Sequence, residues 1–170
     1  MFPVENPYLW LLIVAAPACF ISAWTDLRSM LIRNSTVLYL VAAFVVVGIF
    51  ILPFGEFAWR ILFGLIALVI TYTLNQIGRM GGGDAKMIAA MVPYFSPYEK
   101  DVSVALFLAS STFLAALAVQ RLAGRVPAIR RLTPEWKSWD HPGFPMGLAL
   151  GATLAFYLAG MALLRHYGVL

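Results

Sequence analysis

Apolar residues run along the chain in six nearly unbroken stretches: Tyr8 to Trp24, Val37 to Leu52, Ile61 to Ile77, Ala85 to Phe95, Val102 to Val119 and Gly147 to Leu164. Runs of this kind predict helices that cross a bilayer, and five of the six hold 16 to 18 residues, near the lower limit of ~17 for spanning the hydrocarbon core. The fourth holds 11 residues. At about 1.5 Å each it falls well short of a bilayer, unless the glycine-rich turn before it is buried as well. Pro17 sits in the middle of the first run and predicts a kink there, with neighbouring segments satisfying the carbonyl it frees.

Composition agrees with the pattern. Of 170 residues 62% are hydrophobic and 12% charged, and the mean hydropathy is +0.85. That leaves too little polar surface to cover a soluble domain, and excludes a disordered chain. The expected fold is an all-α integral membrane protein of six transmembrane helices, one domain over residues 1–170 without a separate soluble part. Cys19 is the single cysteine and no CxxC or HExxH pair is present, so neither a disulfide nor a metal or other cofactor is expected. Ala16 to Cys19 loosely resembles a lipoprotein cleavage site, but the basic region that should precede one is missing. In a membrane protein the net charge of +4 bears on orientation rather than on nucleic acid, which is not an expected partner.

If all six stretches cross, Arg28, Arg33, Arg79, Lys86, Arg121, Arg125, Arg130, Arg131 and Lys137 share one side, and Arg60, Lys100 and Arg165 the other. Should the fourth fail to cross, the split becomes six to six. Nine to three obeys the positive-inside rule, which predicts six spans, both termini outside the cytoplasm and a cytoplasmic segment at about 121–145.

Six of the eight acidic residues, Glu5, Glu56, Glu99, Asp101, Glu135 and Asp140, are expected in loops or tails where ionisation costs nothing. Asp26 closes the first span and Asp84 opens the fourth. A carboxylate at the bilayer centre costs ~2.5–3.5 kcal/mol, less near an interface, and normally faces a cavity or partner. Taken singly, each also reads as an interfacial helix end, with Asp84 a helix cap beside Lys86. Taken together they lie at one membrane face, although 58 positions apart (84 − 26). Two carboxyl groups brought together in a low-dielectric pocket share one proton, the arrangement by which aspartic proteases activate water and polarise a peptide carbonyl. Gly81, Gly82 and Gly83 would let the backbone adopt positive φ and let an extended strand approach Asp84. A flexible turn or close helix packing would also account for them.

Gly81 to Asp84 reads GGGD, an instance of the GxGD element of intramembrane aspartyl proteases, and the continuation from Ala85 to Ala90 resembles that of the type IV prepilin peptidases. Asp26, Leu27 and Arg28, followed by Ile32, Arg33 and Asn34, are similar to that family's first-aspartate motif. Pro145, Met146 and Gly147 resemble its Pro-aromatic-Gly element. The resemblance implies that Asp26 and Asp84 are the catalytic dyad of an endopeptidase that removes the basic leader of prepilins or pseudopilins at the cytoplasmic membrane face of bacteria. It also implies site-shaping or substrate-binding roles for Gly81, Gly82, Gly83, Lys86 and Asn34. Arg33 stands where the family usually has proline. The cytoplasmic insertion with paired cysteines of the methylating members is missing, so the chain resembles the short, peptidase-only branch associated with Flp-type pili.

Lys86 reads either as tuning the dyad or as a charge marking the interface, and Asn34 as a cap of the second helix or a hydrogen-bonding neighbour of the site. The basic segment 121–145, with Trp136 and Trp139, suits a belt on an anionic leaflet or a place that receives substrate. His141 with Ser110 or Ser111 would be a serine-protease alternative, but no GxSxG is present. Two competing functions are a small proton-coupled carrier and a non-enzymatic subunit of a pilus or secretion assembly. The carrier reading expects polar residues spread through several spans, and apart from Asn75 and Gln76 the span interiors have almost none.

Overall fold

The computed structural model describes residues 5–168, except for the side chains of Glu99 and Lys100. The expected placement of the two chain ends concerns residues 1–4 and 169–170, outside the described residues. Seven helices form the described chain: α1 (Pro7–Ser29), α2 (Asn34–Ile51), α3 (Phe54–Gln76), α4 (Gly82–Met91), α5 (Glu99–Ala123), α6 (Pro127–Leu132) and α7 (Met146–His166). Single 3-10 turns occupy Val92–Tyr94 and Lys137–Trp139.

Local chemistry sets the helix ends. Asn6 accepts the Leu9 N–H at 3.2 Å and Pro7 supplies a pre-set first residue, so α1 starts there. It stops where Met30 turns left-handed (φ 56°) and donates its N–H to the Asp26 carbonyl. Pro53 separates α2 from α3, and Pro145 precedes α7. Inside α1 the helix continues through Pro17, and the Tyr39 hydroxyl donates to the Val14 carbonyl at 3.1 Å, beside the Ile13 carbonyl that Pro17 cannot serve.

Five helices, α1, α2, α3, α5 and α7, are long and apolar enough to cross a membrane. The fourth apolar stretch forms only the ten-residue α4 and the turn after it, so it does not qualify by helix length. It nevertheless runs antiparallel to α3 along much of that helix. The Thr71 hydroxyl meets the Ala85 carbonyl at 3.0 Å, and Arg60, eleven positions earlier, donates to the Tyr94 carbonyl at 3.0 Å. Between them Gly64 gives room to Pro93, whose ring would lie 2.7 Å from an added Cβ. α4 is therefore the buried centre of the bundle, with Met87 and Tyr94 fully enclosed. The Tyr94 hydroxyl donates to the Leu40 carbonyl of α2 at 2.8 Å.

The most extensive helix pairing joins α1 to α7. Gly147 and Gly151 permit it: a Cβ on Gly151 would sit 2.6 Å from the Cys19 carbonyl oxygen, and one on Gly147 2.9 Å from Asp26 Cβ. α5 is the least buried of the five long helices. It leans on α7, where the hydroxyls of Thr112 and Thr153 pair inside the contact.

Three acidic residues expected in loops lie in helices instead, Glu99 as the first residue of α5. Glu56 lies in the first turn of α3, because that helix begins seven positions before its apolar run, and its carboxylate pairs at 2.6 Å with Arg60, which is 1% exposed. Asp101 is buried within α5, which likewise starts ahead of its apolar run. The buried guanidinium has work besides the ion pair, since it caps carbonyls at the end of the α4 segment.

Candidate functional site

At the end of the bundle where α1 finishes and α4 and α7 begin, a cavity of about 340 Å³ is bounded by both Asp26 and Asp84. Asn34, Gly81, Gly82 and Gly83 complete one wall. The two aspartates therefore converge on one cavity, as the dyad reading expected.

Asp26 belongs to the last turns of α1 and is 5% exposed. Its Oδ2 accepts the backbone N–H of Gly147 at 2.6 Å. Gly147 is the second residue of α7, so the donor is one of the amides that a helix N-terminus leaves without an internal partner, and the helix dipole favours a negative group there. The bond holds the Asp26 carboxyl by a rigid element rather than by another side chain.

Asp84 lies in the first turn of α4, outside the five long apolar helices. Burial, and next the charge of Asp26, push its carboxyl up to about 6. The turn before it is held by Asn75, whose side-chain amide donates to the Met80 carbonyl at 2.8 Å. Gly78 takes the left-handed conformation (φ 72°) in that turn.

The glycines act differently from one part of the expectation. Positive φ is not used at Gly81, Gly82 or Gly83; the backbone turn is made earlier, at Gly78. Close approach is used. A Cβ on Gly81 would stand 2.6 Å from Asp84 Oδ2, and one on Gly83 3.3 Å from Ile32 Cβ. Gly82 is looser, with the Asn75 amide nitrogen 3.6 Å away.

Asn34 makes no side-chain cap for α2, which starts at Asn34 itself with Arg33 in the cap position. Its Oδ1 instead accepts from Lys86 Nζ at 3.1 Å. Lys86 is exposed and does not line the cavity itself. It thus joins the start of α2 to the start of α4.

The other wall is formed by His141, Phe144 and Met146; the sequence singled out Met146 in its motif and His141 only as a partner for serine, and missed Phe144 and the place of His141 beside the aspartates. His141 Nδ1 accepts the Gly143 N–H at 3.0 Å, which leaves Nε2 to carry the proton of a neutral ring. Ser110, its conceivable partner, is exposed on α5 and donates to its own helix at the Leu106 carbonyl. The signal for this wall was the Gly147-xxx-Gly151 spacing, which marks a helix able to lie directly against another. Among the described residues no three His, Cys, Asp or Glu side chains gather to hold a metal.

A family model described as the type IV leader peptidase family matches residues 13–119, well over half the chain and both aspartates. The chain belongs to that family. No individual curated protein and no solved structure matches it. Membership of the type IV leader peptidase family and five membrane-capable helices make this a multi-pass membrane protein of the peptidase class. The family match ends before His141, so that wall and the Gly147 amide belong to the part of the chain beyond it.

Proposed function

We propose that the protein is an aspartyl endopeptidase that removes the basic leader from Flp-like prepilins or pseudopilins at the cytoplasmic face of a bacterial inner membrane, with Asp26 and Asp84 as its catalytic dyad. The observation that carries this reading is the single cavity bounded by two carboxyl groups from separate helices, one of them fixed by a backbone amide. Burial and the neighbouring Asp26 charge favour the protonated form of Asp84, so the proton that the pair shares is assigned to Asp84, which takes the acid role and donates to the carbonyl oxygen of the scissile peptide. Asp26, with Oδ2 engaged by Gly147, directs Oδ1 at a water and removes its proton as that water attacks the carbonyl carbon. The tetrahedral intermediate then collapses, the C–N bond breaks, and the leaving amine takes a proton from the dyad. Gly81, Gly82 and Gly83 give an extended substrate backbone room beside Asp84.

Six crossings, with the dyad at the cytoplasmic side, suit this chemistry. The antiparallel course of residues 85–95 beside α3, and the nine-to-three charge division, both support them. No methyl transfer to the new N-terminus is assigned. Co-expression with a prepilin, followed by mass measurement of its N-terminus, tests the reading. Wild type should yield shortened pilin, and Asp26→Asn and Asp84→Asn full-length pilin at equal membrane levels; processed pilin in either variant refutes the dyad.

A further inference from the structure

A second polar pocket, of about 210 Å³, lies at the same end of the bundle between the C-terminal turns of α5 and the turn at Lys137–Trp139. Its wall includes Arg121 in the last turn of α5 and Arg125 just beyond the end of that helix, together with Gln120, Ser138 and His141, and it contains no carboxylate. Neither arginine has an ion pair or side-chain hydrogen bond among the described residues. The nearby Asp140 is engaged by Arg130.

Two buried side chains here carry polar atoms that no protein group satisfies. Ser138 is 1% exposed and its Oγ has no partner; Gln120 is 7% exposed, its amide nitrogen donating to the Ser138 carbonyl at 2.9 Å while Oε1 has none. An unpaired buried polar group costs about 1–3 kcal/mol, and two of them on residues that line the same pocket as two unpaired arginines mark a place suited to a polar, negatively charged ligand. The pocket also adjoins an aromatic cluster typical of a membrane interface: Trp24 meets Trp136 edge-on at 5.5 Å, and Trp136 stacks on Trp139 at 5.4 Å.

We propose that this pocket binds a phosphate group, presented by the headgroup of an anionic phospholipid or as free phosphate. Arg121 and Arg125 supply charge-assisted donors, and the Ser138 hydroxyl donates from the floor. A ligand with a remaining hydroxyl, as in a glycerol headgroup, can also donate to Gln120 Oε1. His141 lines both this pocket and the aspartate cavity, so the ligand shares one wall with the dyad. The proposal does not depend on the peptidase reading.

The test uses the full chain in nanodiscs of equal parts phosphatidylglycerol and phosphatidylcholine, with co-purified lipid counted by native mass spectrometry. Wild type should retain phosphatidylglycerol in preference by about tenfold. The preference should vanish in Arg121→Gln/Arg125→Gln, fall in Ser138→Ala, and persist in Arg79→Gln/Arg131→Gln, which loses the same charge elsewhere. A second arm titrates inorganic phosphate into lipid-stripped protein and follows 31P line width. Broadening that requires Arg121 and Arg125, without lipid preference, identifies free phosphate as the source and supports the pocket. Equal lipid retention by the two double variants, with no arginine-dependent phosphate binding, overturns it.

Discussion

Gly147 and Asp26, 121 positions apart, are joined by a 2.6 Å hydrogen bond from the glycine amide to the aspartate Oδ2. The amide can reach only because residue 147 has no side chain: an added Cβ would stand 2.9 Å from Asp26 Cβ and 3.0 Å from the Ser22 carbonyl oxygen. Gly147→Ala should therefore push α7 from α1 near the carboxyl it orients. Displacements on the order of 1 Å cost about 100-fold in rate. Leader removal in membranes is expected to slow by about that factor while the protein still inserts; an unchanged rate would rule out amide positioning.

Gly151→Ala should act on stability instead. Its Cβ would meet the Cys19 carbonyl oxygen at 2.6 Å, a backbone atom that cannot rotate away. Overpacking of this kind costs about 1–3 kcal/mol, so the variant's melting temperature in detergent should fall clearly below wild type.

At Gly81 the obstacle is a rotatable one. A Cβ there would lie 2.6 Å from Asp84 Oδ2, whereas at Gly82 nothing comes nearer than 3.6 Å. Gly81→Ala is expected to keep its melting temperature but turn the Asp84 carboxyl aside and slow leader removal about tenfold. Gly82→Ala should cleave nearly as wild type. Equal rates in the two variants would refute this use of Gly81.

Asp84 gives a pH dependence with a definite sign. Its carboxyl is raised from 3.8 to about 6, by burial first and the Asp26 charge second. The folded protein thus binds this proton more tightly than the unfolded chain. The resulting stabilisation is complete below about pH 4 and is lost as pH rises through about 6. Asp84→Asn should accordingly melt above wild type at about pH 7.5, with the gap closing toward about pH 4. Asp26→Asn should lower the Asp84 titration midpoint, readable from its carboxylic C=O infrared band. A gap that widens on acidification would contradict the assignment.

Arg60 tests the other end of the bundle. Replacing it with methionine would leave Glu56 without its ion-pair partner and the Tyr94 carbonyl without the Arg60 donor. Breaking a buried pair from one side costs about 3–5 kcal/mol. A large drop in melting temperature is expected, partly recovered in Glu56→Gln/Arg60→Met.

Six helical segments were legible because each apolar run is long relative to its polar breaks, whereas counting basic residues suggested only a common face for Asp26 and Asp84 and left their meeting to the structure. The half-buried position of Glu56 and the burial of Asp101 were not legible. Apolar runs mark where a helix meets lipid, whereas a helix begins wherever its backbone can be capped, here several residues earlier. For Asn34 the sequence offered two readings, a cap or a neighbour of the site; it lines the cavity, but its bond to Lys86 on another helix was not legible. His141 escaped because its segment reads as a loop, and its position depends on α7 docking on α1 by the two glycines.

That docking imposes an order on biosynthesis. Both aspartates leave the ribosome long before residue 147, so in a nascent chain the Asp26 carboxyl is without the Gly147 amide until α7 has packed against α1.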